Sequence, residues 1–300
     1  MKKLAFTLFV IFYSILGTKA SHIVGGEMSY ECLGNNQYKI ILKVYRDCQS
    51  INVNGTTTPF DAPAAITFFT GNNVQYQTSP GLTSVDVLYN TSLYPDEIDI
   101  DLSNPCLIPP SDVCVDQAVY ETTVTLPFNS LGYYASYQRC CRNNNINNIG
   151  NPGQTGATYT IYISDLGQTS CNSSPTFNNF PPVVICNNQP IDFDHSATDA
   201  QGDQLVYSFC APSVGASPNN PQPNDASAPP YGNVSFTNPF TPVAPLGPGI
   251  SIDPATGLIT GTPTTNGQFV VGVCVDELRN GNWARDSCTI EYKIKTLFTS

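Results

Sequence analysis

The residues best suited to chemistry are acidic and cluster in the C-terminal part of the chain. Six of them fall near one turn and one later strand: Asp192, Asp194, Asp199, Asp203, Asp276 and Glu277. Calcium takes six to eight oxygen ligands, which carboxylates and turn carbonyls can provide. The pattern therefore favours calcium as a cofactor, whereas the simpler interpretation is that Asp199 and Asp203 only shape an Asx turn. We expect His195, beside them, to be a surface strand residue and not a ligand.

No motif in the chain indicates catalysis. Residues 23–26 (Ile-Val-Gly-Gly) match the mature start of trypsin-like serine proteases, but that mechanism needs a histidine base, a buried aspartate and a serine nucleophile. The chain has two histidines, His22 and His195, and no Gly-Asp-Ser-Gly sequence. The acids within 96–101 alternate with isoleucines, which is typical of a strand with a solvated face rather than of a glycosidase pair. We therefore predict that the protein is not an enzyme.

Eleven cysteines without a Cys-x-x-Cys pair indicate disulfides rather than a zinc cluster, and their odd number leaves one thiol free or paired with another chain. Cys171 and Cys186 are candidates to bridge a Pro-rich segment. Cys274 can pair with Cys210 or with Cys288. Strand alternation favours Cys210, because Cys210 and Cys274 both oppose the apolar set on their strands.

Two other cysteine pairings are disfavoured by geometry. Cys32 and Cys48 flank a predicted strand of about ten residues, which spans about 33 Å and exceeds the reach of a disulfide. Cys140 and Cys141 are adjacent and would face opposite sides of a strand. We therefore expect each of these two to bond a different partner.

The N-terminus has the pattern of a secretory signal peptide over residues 1–20. Two lysines precede an apolar run over 4–16, and small residues suit cleavage after Ala20. The run is shorter than the roughly 20 residues that span a bilayer, so no membrane span is expected after signal removal. Cleavage removes three lysines, which changes the formal net charge from −11 to −14. We therefore expect an extracellular or cell-surface protein that does not bind nucleic acid.

Short strands separated by turns are predicted along the mature chain. In residues 38–47, apolar Ile40, Leu42 and Val44 alternate with other residues, and the turn sequence before them predicts a hairpin of 27–33 with 37–47. Further strands are predicted at 64–70, 84–90, 97–102, 118–126, 132–139, 157–163, 183–186, 189–194, 204–210, 250–252, 257–260, 268–275 and 286–296. This pattern predicts an all-β fold of β-sandwich modules without a helix of any length.

Composition divides the mature chain into two predicted modules. The N-terminal β-sandwich module spans 21–168, a Pro/Ser-rich linker spans 169–182, and the second β-sandwich module spans 183–300. Residues 211–248 are rich in Pro, Asn, Ser and Ala and are expected to form a long extended excursion. Because the sequence stops directly after a strand, we expect it to belong to a longer chain or an assembly.

The second module resembles repeats of bacterial surface proteins. Residues 249–263 (Gly-Ile-Ser-Ile-Asp-Pro-Ala-Thr-Gly-Leu-Ile-Thr-Gly-Thr-Pro), followed by 267–271 (Gly-Gln-Phe-Val-Val), resemble their immunoglobulin-like repeats. Residues 197–207 (Ala-Thr-Asp-Ala-Gln-Gly-Asp-Gln-Leu-Val-Tyr) look like the early strands of cadherin-like domains. The resemblance covers about 189–296 and implies tandem Ig-like or cadherin-like sandwiches.

The first module is similar to the N-terminal region of large surface proteins of gliding bacteria. The similarity lies in residues 21–27 (Ser-His-Ile-Val-Gly-Gly-Glu), 44–48 (Val-Tyr-Arg-Asp-Cys) and 139–143 (Arg-Cys-Cys-Arg-Asn). Members of that group commonly end in a gliding-motility-associated domain that serves as a type IX secretion signal. This resemblance implies an exported, adhesin-like or structural role.

Three hypotheses about function follow from the sequence. The first is a secreted or surface-displayed protein with a role in cell adhesion or scaffolding, whose partners are surface proteins or glycans. Exposed tyrosines and the loop 211–248 would be its contact surfaces. The alternative is a carbohydrate-binding accessory module of an exported glycan-degrading system, which a row of aromatics on one sheet face would support. An enzyme is the third hypothesis and has the least support.

Overall fold

The computed structural model describes residues 23–49, 58–92, 95–98 and 114–279, together with the backbone of 282–283 and 288–297. The predicted signal peptide lies outside the described residues. So does most of the predicted strand 97–102.

Strands dominate both halves of the chain, which confirms the predicted all-β class. The strands of the first half are β1 (Ile23–Gly34), β2 (Gln37–Asp47), β3 (Ala64–Thr70), β4 (Ser84–Val87), β5 (Asp96–Glu97), β6 (Val115–Thr125), β7 (Tyr133–Arg139) and β8 (Ala157–Ile163). After a short helix, α1 (Asp165–Ser170), come β9 (Thr176–Phe177), β10 (Val184–Cys186), β11 (Ile191–Asp194), β12 (Ala197–Thr198), β13 (Gln204–Cys210), β14 (Ile250–Ile252), β15 (Leu258–Gly261), β16 (Gly267–Arg279), β17 (Asn282–Trp283) and β18 (Cys288–Leu297).

The hairpin of β1 and β2 forms as its turn sequence predicts. Asn35 and Asn36 both have positive φ, of 52° and 61°, as a two-residue type I′ connection requires. The alternating residues Ile40, Leu42 and Val44 are buried on one face of β2. The alternation thus fixes which face of the hairpin meets the core.

The first half is a sandwich of two antiparallel sheets. The four-stranded sheet β4-β3-β7-β8 packs against β1, β2 and β6, and one hydrophobic core fills the space between them. Aromatic and β-branched side chains supply this core, including Tyr30, Tyr38, Phe68, Tyr120 and Ile161. Such residues suit strands because their bulk packs well on a pleated surface.

One continuous sheet joins the two halves of the chain. Its main path runs β13-β16-β18-β1-β2-β6-β5, and β1 pairs with β18 in antiparallel register at Gly26 and Glu27. The second hydrophobic core consists mainly of residues from 177 onwards, yet Val24, Tyr45 and Val115 of the first half also belong to it. Both faces of this sheet are therefore buried near β1. The module boundary at 169–182 stays a prediction.

The predicted excursion between β13 and β14 contains no strand and packs back on the first half. The Ala226 amide donates to Thr67 Oγ1 at 2.7 Å, and the Tyr231 hydroxyl donates to Ser136 Oγ at 2.7 Å. These hydrogen bonds are made within the protein, so fewer polar groups of this segment are available to bind a partner than the sequence indicated.

Four disulfides join described cysteines. They are Cys32–Cys171, Cys48–Cys114, Cys140–Cys141 and Cys210–Cys274. Cys186 is also disulfide-bonded, and the Cys288 side chain lies outside the described residues.

Two of these pairs differ from the sequence-based expectation. Cys171 bonds Cys32 instead of Cys186, because the Tyr30 amide donates to Ser174 Oγ at 2.8 Å and so holds this segment along β1. Cys140 and Cys141 bond each other instead of two different partners. Cys210 bonds Cys274, the pair that strand alternation favours.

Candidate functional site

Three carboxylates meet at one edge of the second half. Asp199 and Asp203 lie between β12 and β13, Glu277 lies on β16, and their carboxylate oxygens come within 4.8 Å of one another. Glu277 is buried and accepts a hydrogen bond from Asn172 Nδ2 at 2.6 Å. Asp199 Oδ1 accepts the amides of Gln201 and Asp203, which is an Asx-type turn.

Arg279 brings a positive charge into this cluster. Its Nε donates to both carboxylate oxygens of Asp203, at 3.0 and 2.9 Å, and its Nη2 donates to Asp203 and to Asn172 Oδ1. The fork of a guanidinium matches a carboxylate in this way. Both side chains are largely buried, with 17% and 12% exposed.

Arg279 competes with calcium for the oxygens of this cluster. Calcium takes six to eight oxygens, but Arg279 engages both oxygens of Asp203 and the Asn172 amide oxygen. Asp199 Oδ2 is buried and accepts no hydrogen bond from the residues that the structure describes. The guanidinium carries the charge that a cation would bring. Calcium at this position stays a prediction.

The structure separates the other acids that the sequence placed at this site. Asp192 and Asp194 are exposed on β11, and Asp194 Oδ1 accepts the Ser196 amide at 3.0 Å. Asp276 precedes Glu277 on β16 and therefore faces the other side of the sheet. Burial raises the pKa of the Asp276 carboxyl above its usual range. The sequence analysis named Glu277 among these acids but did not assign Arg279 to the site, although this basic residue ends β16.

His195 is a core residue and not the surface residue that the sequence suggested. It is fully buried, and its ring stacks on Phe177 with centroids 4.6 Å apart, while Phe193 lies at 5.3 Å. Burial lowers the pKa of His195 to about 4, although the Asn179 backbone and Asp194 act in the opposite direction. The imidazole is thus neutral at physiological pH.

A second group of charges lies inside the first half. Asp61 is buried, its Oδ1 lies 3.1 Å from Arg139 Nε, and its Oδ2 accepts the Tyr137 hydroxyl at 2.7 Å. Burial raises the pKa of Asp61, and Arg139 and Tyr137 counteract part of that rise. The adjoining cavity measures about 40 Å³, which has room for little more than water. This arrangement is a structural ion pair.

A larger polar cavity, which we call the junction cavity, lies beside the shared sheet and measures about 400 Å³. Glu27 of β1 and Lys43 and Tyr45 of β2 form one wall, and Asp96 and Glu97 of β5 another. Residues 177–180 of the second half close the third side. Cavities of 300–1,000 Å³ accommodate small ligands or single side chains.

Glu27 is the central polar group of the junction cavity. Only 5% of the residue is exposed, and its Oε1 accepts Lys43 Nζ at 2.7 Å and the Tyr45 hydroxyl at 3.0 Å. Tyr45 in turn meets Phe180 edge-on, with ring centroids 4.7 Å apart. The sequence analysis missed this site because its walls come from residues up to 153 positions apart in the chain, Glu27 and Phe180.

Comparison with known proteins gives little further guidance. No family model and no curated protein matches the sequence. A solved chain, the "Chimeric titin Z1Z2-Z1Z2 tandem (Z1212) functionalized with a GRGDS exogenous peptide from fibronectin", aligns over 87% of this chain and 91% of its own at 11% identity. The TM-score is 0.22, too low to support an argument. Within the described part of the chain, no helix has the length and apolarity needed to cross a membrane.

Proposed function

We propose that the protein is an exported, non-catalytic component of a cell surface with an adhesive or scaffolding role. The observation that carries the proposal is the joining of two hydrophobic cores by one sheet, with Cys32 and Cys171 linked across 139 residues. A cross-linked β-scaffold resists unfolding and holds its loops in fixed positions, which suits a protein that bears load or presents a surface.

Other features support an extracellular setting. Disulfides persist in oxidising compartments and are rare in the cytosol, and the signal-peptide pattern at 1–20 predicts export. The resemblance to surface proteins of gliding bacteria adds the expectation of a bacterial cell surface. The buried, neutral state of His195 supports the non-catalytic part of the proposal, because this imidazole has no access to a substrate.

The carbohydrate-binding alternative has one observation in its favour. Tyr134 and Tyr162 lie on the neighbouring strands β7 and β8 with their ring centroids 4.7 Å apart, and both side chains are partly exposed. A pair is shorter than the row of aromatics that a glycan platform needs, so we rank this function second.

A combined export and adhesion experiment tests the proposed function. The full chain and a variant lacking residues 2–20 are expressed in a bacterial host, and fractionation with thiol alkylation reports location and disulfide content. Oxidised protein on beads is then assayed for retention on cell envelopes, with albumin beads as the control. We expect export of the full chain alone and retention above the control. Cytoplasmic accumulation of the full chain, or retention equal to that of albumin, would contradict the proposal.

A further inference from the structure

We propose that the junction cavity binds a basic side chain, arginine foremost, of a partner protein. The inference rests on the proposed adhesive role and names the chemistry of the partner. It is argued from the state of Glu27, the charge of the cavity and its aromatic wall.

Glu27 presents a carboxylate oxygen that is open to a ligand. Oε1 already accepts two hydrogen bonds, from Lys43 and Tyr45, whereas no residue that the structure describes donates to Oε2. A carboxylate has about four acceptor positions, so half of this group remains available. Only 5% of Glu27 is exposed, and a donor that reaches Oε2 would form a charge-assisted bond.

The charges around the junction cavity favour a cation. Among the described residues that line the cavity, Glu27, Asp96 and Glu97 contribute three negative charges and Lys43 one positive charge, so negative charges exceed positive ones by two. Asp96 and Glu97 are exposed at the rim on β5. Carboxylates at a rim attract an approaching cation, and the buried one then fixes its position.

The aromatic wall favours a side chain over a free metal ion. Phe180 is partly exposed beside Tyr45, and together they offer an apolar surface for methylene groups or for the face of a guanidinium. The Lys43 ammonium sits 2.7 Å from Glu27 Oε1 and would repel a divalent cation more strongly than a singly charged guanidinium. Arginine is preferred to lysine, because its planar fork can donate to two carboxylates at once.

A neutral glycan fits the junction cavity less well. Sugar hydroxyls can donate to the same oxygens, but they leave the two negative charges without a counter-charge in a partly closed site. An anionic ligand is disfavoured outright by repulsion.

Calorimetric titration of the oxidised full chain tests this inference. The probe is Nα-acetyl-arginine amide, and the control ligand is Nα-acetyl-citrulline amide, which has nearly the same shape without the charge. We expect the arginine probe to bind at least about tenfold more tightly than the citrulline probe, and its affinity to fall with added salt. Maltose serves as the neutral glycan probe and should not bind. Equal affinity for the arginine and citrulline probes, or binding of maltose alone, would overturn the inference.

Two variants locate the binding. The double variant D96N/E97Q alters two exposed side chains at the rim and should weaken arginine binding by about tenfold or more. The matched control D86N/E121Q removes the same charge from exposed positions outside the junction cavity and should leave binding nearly unchanged. The variant Glu27→Gln should lower the affinity for the arginine probe more than D96N/E97Q does. Equal weakening by both double variants would mean that general charge, not the cavity, attracts the probe, and would overturn the proposal.

The titration tests the binding site and the bead assay tests the adhesive role, so either experiment can contradict its own claim without affecting the other. Arginine binding without retention on envelopes would refute the adhesive role and retain the site. Retention on envelopes without arginine binding would refute the site and retain the role.

Discussion

Arg279 and Asp203 form a two-point ion pair although 76 residues separate them in the chain. Arg279 Nε lies 3.0 and 2.9 Å from the two carboxylate oxygens, and Nη2 extends the contact to Asn172. The pair ties the end of β16 to the start of β13 and to the segment that follows α1. This ion pair thus links three segments that are distant in the chain.

The variant Arg279→Gln should lower the free energy of unfolding by about 2 kcal/mol. The pair is largely but not fully buried, so its loss costs less than the 3–5 kcal/mol typical of a fully buried pair. Urea denaturation of the oxidised protein measures the change. The control Lys39→Gln breaks the exposed Lys39–Glu121 pair and should cost under about 1 kcal/mol. Equal effects of the two variants would show that Arg279 has no special role.

The same variant provides a test of the calcium hypothesis. Removal of the guanidinium leaves Asp199, Asp203 and Glu277 close together without a cation, so millimolar calcium should raise the melting temperature of Arg279→Gln more than that of the wild type. Excess chelator should reverse the rise. A calcium-dependent rise in the wild type as large as in the variant would mean that calcium binds without displacing Arg279. No rise in either protein would exclude a site at these acids.

Protonation of His195 should make stability depend on pH. Its pKa in the folded protein is about 4, below the value of 6.5 for the free side chain, so the unfolded chain binds the proton more readily. The stabilising contribution is complete above pH 6.5 and is lost as the pH falls toward 4, by about 3 kcal/mol in total. Urea denaturation between pH 4 and 7 should show a steeper loss for the wild type than for His195→Phe. Parallel curves for the two proteins would contradict the assignment.

Loss of the Cys32–Cys171 bond should destabilise the protein strongly. The bond joins residues 139 positions apart, and the chain-entropy argument gives about 5 kcal/mol for a loop of this length. The double variant C32S/C171S should therefore unfold at clearly lower urea concentration than the wild type. Peptide mapping of the unreduced variant is the control, since the remaining disulfides should be unchanged. A midpoint within error of the wild type would show that the hydrogen bonds of Ser173 and Ser174 to β1 suffice.

Gly257 is expected to tolerate no side chain. Its φ is +76°, and a Cβ would lie 2.9 Å from the His195 carbonyl oxygen and 3.0 Å from the Tyr207 ring. The variant Gly257→Ala should cost about 2 kcal/mol or more, from backbone strain and from the contact. Gly81→Ala is the matched control, because Gly81 has a φ of +82° with open space around it and should show the strain alone. A cost no greater than that of the control would exclude the steric contribution.

Local patterns were sufficient to predict most of the described strands and the turn of the first hairpin, although they did not predict the short strands β9, β12 and β17. The alternation of Ile40, Leu42 and Val44 and the turn at Asn35 and Asn36 act over a few residues, where sequence neighbours are also spatial neighbours. Gly257, which has a positive φ, likewise lies in a local turn sequence between two short strands, β14 and β15. Burial of alternate residues and turn chemistry therefore determined the all-β class before any tertiary contact was known.

Only the tertiary structure decided which distant residues meet. Cys171 could have paired with Cys186 by sequence distance, but the packing of its segment along β1 brought it to Cys32. His195 looked like an exposed strand residue until Phe177 and Phe193 enclosed it. The position of the Arg279 guanidinium beside Asp203 and the cavity around Glu27 likewise depend on the order of strands in the shared sheet. Strand order is set by the burial of two cores at once, which no local stretch of sequence encodes.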